Sequence, residues 1–382
     1  MNNIKRCKRC VMDETDSLIS FNKEGICNHC TNALDWKKRL IPSFINKKQR
    51  LHDLTTFIKN KQKNDNYDCI IGLSGGLDSS YALLKAKELG LRILAVHVDA
   101  GWNSEYAVRN IETLVKSLKV DLYTYVVDWE EMKMLQKAFF KSGVVNCDTP
   151  QDHAYFSALM SVASQKSIKY IITGQNWQSE SILASSWEWH HMDLKQINDI
   201  CYKIMGRKLK KFPRVNPWKY FFYYTYIKKM KYIRILDFLD YNTNNAEKEL
   251  GLTGWKSYGS KHNESLFTKF YQDYFLPEKF GYDKRIAHLS SLIISGEITR
   301  DEALLKLEKP VGKSALLDEE LDFILNKLSF SKDEWNDIMN VEVKSYKDYN
   351  NFEKLLDLKN KLLKIYPTYS YIAPGYKNYM LE

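Results

Sequence analysis

Residues 68–84, DCIIGLSGGLDSSYALL, place an apolar run, a Gly-Gly turn and a helical pattern within one short span. Such a strand–turn–helix unit leaves few folds open. Gly75 and Gly76 remove side chains where backbone must approach a ligand, and a helix beginning near Asp78 or Ser79 aims unsatisfied N–H groups and its positive dipole end at the turn. Ser74, Ser79 and Ser80 add hydroxyls, so the expected occupant is phosphate. No Lys follows as in G-x-x-x-x-G-K-[ST], and G-x-G-x-x-G is absent.

The pattern continues. Strands are expected at 68–73, 92–98, 121–127, 169–173 and 233–239, and helices at 79–89, 104–119, 129–141 and 152–167, where apolar residues recur at three- and four-residue spacing. This alternation predicts an α/β fold: a parallel, doubly wound sheet with helices on both faces. Loops starting at Ser74, Asp99 and Gly174 then lie at the carboxyl edge, where such sheets bind ligands.

Four of the seven cysteines fall in the first thirty residues, as CKRC (Cys7, Cys10) and CNHC (Cys27, Cys30). Two knuckles of this spacing suit a tetrahedral thiolate site, so a structural Zn2+ is expected, with no open coordination position for catalysis. His29 lies inside the second knuckle, where ligation would strain the turn. The expected organisation is a zinc-ribbon-like module at 1–35, a basic helical connector at 36–65, the nucleotide domain at 66–242 and a helical C-terminal substrate or lid region at 243–382.

The net charge of +10 over 382 residues is modest, but residues 202–234 hold eleven Lys or Arg and no acid, interleaved with aromatics. That mixture suits phosphates and stacked rings, and equally a helix pair with an aromatic core. No 18-residue apolar run occurs, and MNNIKRCKRC has no apolar core behind its charges; neither a membrane span nor a secretory signal is expected, and a cytoplasmic location follows.

Ser74-Gly75-Gly76-Leu77-Asp78-Ser79 resembles the SGGxDS loop of the PP-loop ATP pyrophosphatase superfamily, whose members cleave ATP between its α- and β-phosphates and pass AMP to a carbonyl oxygen. The resemblance implies that Leu73, Ser74, Gly75, Gly76, Asp78, Ser79 and Ser80 bind ATP, that Asp78 serves catalysis by holding the Mg2+ ATP brings, and that Asp99, Gly174 and Gln175 line the nucleotide pocket. TRNA-modifying members carry an acidic pair shortly after the TG of the third loop; here Gln178-Ser179 stand there, with Glu180 next.

Over essentially the whole chain, CKRCVMDETD, GICNHC, SGGLDSS, DHAYFSALMSVASQ, TGQNWQSES and the long segment from YGSKHNESLF are similar to the N-acetyl sugar amidotransferase family of the pseudaminic-acid and lipopolysaccharide biosynthesis type. This implies ATP-driven conversion of an acetamido group, on a nucleotide-linked sugar, into an acetamidino group. Position 2 is Asn and no G-x-C-x-G elbow occurs, so ammonia is expected from a separate glutaminase subunit, with a cyclase-like protein as a further partner. Lys261 and His262 are the expected catalytic residues of the C-terminal half, and Glu180, Glu264, Lys284, Arg285 and His288 the expected substrate contacts. Nucleic acid is not an expected partner. A tRNA-modifying enzyme is the rival reading, and a nonenzymatic assembly factor a third. Among the other cysteines, Cys147 is the one plausible loop thiol for sulfur transfer, with Cys69 buried in a strand and Cys201 beside the basic segment.

Overall fold

The computed structural model describes residues 4–40, 47–62, 66–257, 264–314, 318–365 and 371–372. Six parallel strands, β1 (Cys69–Gly72), β2 (Ile93–Asp99), β3 (Asp121–Val126), β4 (Tyr170–Thr173), β5 (Lys231–Arg234) and β6 (Tyr371–Ile372), form one sheet in the order β3-β2-β1-β4-β5-β6. Ile70 pairs with Leu94 on one side and Ile171 on the other. The chain first builds toward β3 and then returns to place β4 against β1, so the switch point lies between β1 and β4, where a crevice opens at the carboxyl edge.

The period-two pleat divides the strands between two cores. Cys69, Ile71, Ala95 and Ile172 face one, and Ile70, Val96 and Ile171 the other. α1 (Asn28–Leu40) leaves the cysteine-rich segment; α2 (Lys47–Lys61), α3 (Leu77–Glu88) and α4 (Glu105–Leu118) cover the first face. α5 (Trp129–Ser142) and α6 (Thr149–Gln165) cover the second; α7 (Trp177–Glu180) is one turn after β4, α8 (Leu194–Met205) joins the second face and α9 (Thr243–Gly251) returns to the first. Ser104 caps α4 by accepting from the Ala107 N–H, and Asp128 caps α5 through Glu131, each contributing about 1 kcal/mol.

The fifth strand differs from expectation. Pairing ends at Arg234, and Ile235–Phe238 form a 3-10 turn. Asp237 causes this: it turns into the protein, pairs with Arg234 at 2.7 Å and accepts the Trp177 N–H at 2.7 Å. The apolar side chains that suggested a longer strand are buried core of that turn. The two-residue β6 lies beyond any strand expected.

The C-terminal region is helical, as expected. α10 (Leu266–Phe270) and α11 (Leu276–Phe280) form one rod through the π turn Tyr271–Phe275, followed by α12 (Arg285–Ser295), α13 (Arg300–Leu307), α14 (Asp318–Leu328), α15 (Lys332–Asn340) and α16 (Glu353–Ile365). The rod completes the second core. Phe140 of α5 meets Phe275 with ring centroids 4.7 Å apart and Trp335 at 5.4 Å. Each such buried aromatic contributes about 1.5–3 kcal/mol, which ties these helices to the sheet.

Candidate active site

At the end of β1 the chain turns through Ser74–Ser79. Gly75 adopts φ +82°, and a Cβ there would lie 2.6 Å from the Ala107 carbonyl oxygen, so both conformation and space require glycine. Gly76 is the N-cap of α3 and offers it no side chain, which leaves the helix's first N–H groups for an anion. α3 begins at Leu77, one or two residues before the expected start near Asp78 or Ser79. The Ser74 and Ser79 hydroxyls lie 3.1 Å apart, and the Gly76 N–H donates to Ser74 Oγ at 3.2 Å. Tyr241 donates its hydroxyl to Asp78, and burial together with that carboxylate raises the Tyr241 pKa, keeping the phenol a donor. Ser80 is fully buried beneath the loop.

A cavity of about 340 Å³ opens from this loop, bounded by Leu73 and Ser74, by Gly174 and Gln175 after β4, and by Gln151, Asp152 and Tyr155 of α6. His97 and Asn103 form a further wall. The His97 Nδ1–H donates to the Leu73 carbonyl at 3.0 Å and Nε2 accepts from Asn103 at 3.0 Å. The Asn103 amide orientation behind this tautomer is fixed by its second bond, to Asp99 at 2.9 Å. Asp99 thus holds the loop around the pocket, also accepting the Gly101 N–H at 2.8 Å.

A second cavity, of about 650 Å³, adjoins the first; Asp148, Asp152 and Gln272 line both. Each volume falls within the range of small-molecule sites. Lys284, Arg285 and His288 of the α12 region line it with Lys306, Lys309, Glu180 and Glu188. Lys284 pairs with Glu188. Burial pushes the Asp148 carboxyl up to about 6, and burial with the charge of Asp148 raises Asp152 well above the usual carboxylate range. Burial opposes the charge on Lys284, but Glu188 and Asp148 outweigh it and raise its pKa.

The residues expected to form the substrate side therefore divide. Glu264 lines the first cavity, and Glu180, Lys284, Arg285 and His288 the second. The Arg285 guanidinium is held within the fold, by Asp283 at 2.7 Å and the Lys309 carbonyl at 3.0 Å. His288 Nδ1 donates to the Ser179 carbonyl at 3.1 Å. Lys261 and His262 lie outside the described residues. Cys147, the expected loop thiol, is 1 % exposed and donates to the Val144 carbonyl; its burial pushes the thiol well up, and no cysteine lines either cavity. Sequence reasoning missed Asp148, Gln151, Asp152, His97, Asn103 and Gln272. The signal for the acidic pair was present: two Asp four residues apart at the start of a helical pattern, in DTPQDHAYFSALM.

The four N-terminal sulfurs come together as expected. Cys10 and Cys30 each lie 3.6 Å from Cys27, and Cys7 lies 3.9 Å from Cys30. A tetrahedron with Zn–S bonds of about 2.3 Å requires about 3.8 Å between sulfurs, so the site fits Zn2+. His29 bonds Asp16 at 2.5 Å and is no ligand. Arg300 of α13 donates to the Cys10 carbonyl at 3.1 Å, and Ser290 of α12 accepts the Val11 N–H at 3.2 Å. Trp177, directly after the third loop, donates to Ala33 of α1 at 3.0 Å. The ribbon-like module thereby braces both α12 and the β4–α7 loop.

An SGGLDSS loop at the switch point of an all-parallel sheet, with an anion-ready helix start, makes a phosphate-binding crevice of the kind that ATP-using enzymes of the PP-loop type carry. Two family matches cover different parts of the chain: residues 68–179 match "Queuosine biosynthesis protein QueC", and residues 264–363 match "LPS biosynthesis protein WbpG-like, C-terminal domain". An uncharacterized protein of Methanocaldococcus jannaschii, MJ1599, is 23% identical over 321 residues, 82% of this chain and 97% of the relative. Among solved structures, the NH3-dependent NAD synthetase of Campylobacter jejuni has a TM-score of 0.27 at 19% identity, covering 34% of this chain; the chain spans 58% of that protein's length. The NMN synthetase of Francisella tularensis has a TM-score of 0.30 at 15% identity, covering 58% of this chain and 99% of that one. No helix among the described residues is long and apolar enough to cross a membrane.

Proposed function

We propose that this protein is the synthetase subunit of an ATP-dependent sugar amidotransferase. In this reading the acetamido oxygen of a nucleotide-linked N-acetyl sugar attacks the α-phosphorus of ATP, pyrophosphate leaves, and ammonia from a separate glutaminase displaces AMP to give an acetamidino sugar. An amide carbon is a poor electrophile until its oxygen carries a leaving group, which is what adenylation supplies. Asp78 would hold the Mg2+ that arrives with ATP, and Ser74, Ser79 and the α3 N–H groups the departing pyrophosphate. The zinc module would be structural and serve to position the substrate wall.

The observation that carries the reading is the meeting of the two cavities. One begins at the ATP loop, and the other takes Lys306 and Lys309 from the segment that matches the lipopolysaccharide-associated model, two cations suited to the phosphates of a nucleotide sugar. An acetamido group presented from the second would meet the α-phosphate of ATP in the first. Sulfur transfer to RNA is the weaker alternative, because no thiol opens onto either cavity. Purified protein given ATP, ammonium and a UDP- or CMP-linked acetamido sugar should release AMP and pyrophosphate and add one nitrogen to the sugar. Release of ADP, or turnover that requires tRNA and ignores sugars, would overturn the reading.

A further inference from the structure

We propose that Asp148 and Asp152, at the junction of the two cavities, receive the ammonium ion and take its proton as its nitrogen attacks the adenylated amide. The assignment rests on the amidotransferase reading above.

Position is the first argument. Both residues line both cavities, so a cation between them stands between the ATP loop and the substrate wall. Asp148 is the N-cap of α6, where an Asp ordinarily bonds its own helix, yet it makes no such bond. Asp152 follows one turn later, on the same helix face. Among the described residues, Lys284 is the cation whose charge acts on the pair, and its hydrogen bond goes to Glu188.

Unmet hydrogen bonding is the second argument, and it is independent of the carboxylates. Gln151, between the two acids, is 2 % exposed; its Nε2 donates to Ser265 and Thr268 at 3.2 and 3.0 Å, which leaves Oε1 buried without a partner among the described residues. On the first cavity the Thr173 hydroxyl oxygen is likewise buried and, among the described residues, unpartnered. Acceptors left open in the cavity that the acidic pair lines suit a small ion made entirely of N–H donors. A divalent metal would need both carboxylates ionised, whereas burial here favours a pair that keeps one proton.

At neutral pH ammonia is almost wholly protonated and has no lone pair for attack. The ionised carboxylate takes one proton from the ammonium, and the freed pair forms the C–N bond to the imidate carbon. The C–O bond to AMP then breaks with its electrons on the phosphate oxygen, which accepts the adduct's surplus proton; the amidinium product keeps one positive charge. Nothing is oxidised or reduced.

Two measurements test this on the full chain. Crystals soaked in thallium(I), an ammonium-sized cation, should show an anomalous peak between the two carboxylates that disappears in Asp148→Asn and Asp152→Asn; no peak, or one displaced by millimolar Mn2+, overturns the proposal. With free ammonium as nitrogen source, each variant should raise the ammonium KM by about tenfold or more while keeping ATP–pyrophosphate exchange, which needs no nitrogen donor, within about threefold. Loss of exchange together with turnover, or a raised KM for the sugar in place of ammonium, overturns it. Gln151→Leu, which leaves both acids in place, should raise the ammonium KM by about threefold or more, and an unchanged value counts against the site. Absence of ammonium-dependent AMP formation in the wild-type chain overturns the amidotransferase reading and this role with it. Wild-type turnover with an unchanged ammonium KM in both Asp variants overturns this role alone.

Discussion

Gly174 lies so close to Ser79 that a Cβ at position 174 would sit 2.7 Å from the Ser79 backbone nitrogen and 2.8 Å from the Asp78 carbonyl oxygen. The loop after β4 is therefore seated on the first turn of α3, and the two sides of the nucleotide crevice are in direct backbone contact. Gly174→Ala must push them apart. A displacement of about 1 Å in a reacting group costs about a hundredfold, so ATP-dependent turnover should fall by about that factor while the zinc content stays unchanged. Steady-state kinetics with metal analysis checks this.

Tyr241 holds the Asp78 carboxylate from the side away from solvent. Removing the donor leaves a carboxylate short of one charge-assisted hydrogen bond, worth about 1.5–3 kcal/mol. Tyr241→Phe should lower stability by up to that amount in urea unfolding and raise the KM for ATP, whereas Asp78→Asn should abolish turnover with zinc still bound.

Stability should depend on pH through Asp148. In the folded chain it keeps its proton up to about pH 6, against an ordinary value of 3.8. Between these pH values the folded state binds more protons than the unfolded one, so this residue's contribution falls as pH rises and is lowest above 6. Asp148→Asn removes the penalty of burying the charge: it should unfold at higher urea than wild type at pH 7, by at most about 3 kcal/mol, and match it near pH 4. The same variant is expected to raise the ammonium KM, which separates the two effects.

The zinc module should act on the substrate wall. Chelation, or the Cys7→Ser and Cys10→Ser pair, removes the anchor beneath α12 and α13 and should lower Tm by about 5 °C or more. Arg300→Met keeps the thiolates but loses the bonds to the Cys7 and Cys10 carbonyls. It should retain zinc by elemental analysis and raise the sugar KM more than the ATP KM.

Cys147→Ala should leave ammonium-dependent turnover within about twofold of wild type, at a small cost in Tm, because the thiol is buried and only donates to Val144. A collapse of turnover at unchanged stability would instead mark it as a reacting group and favour sulfur transfer.

Local chemistry made the nucleotide half legible. A Gly-Gly turn between a strand and a helix has one economical use, and the period of the apolar residues placed four of the five expected strands close to where they lie. Cys7, Cys10, Cys27 and Cys30 were equally plain, because two-residue gaps form knuckles regardless of what surrounds them. The expectation of a longer fifth strand failed at Asp237, whose partners, Arg234 and the Trp177 N–H, are set by the fold and not by the local pattern.

The amino-acid sequence by itself determined the parallel sheet, the phosphate loop and the thiolate cluster, since each follows from contacts within a few residues or from strand period. Only the tertiary structure decided that Asp148 and Asp152 stand where two cavities join and that Cys147 is closed off from both cavities. Those facts depend on the helical rod from 266 to 280 closing over α6 from more than a hundred residues away. Burial by a distant element is what turns an ordinary pair of aspartates into one with raised pKa values, and no local spacing encodes it.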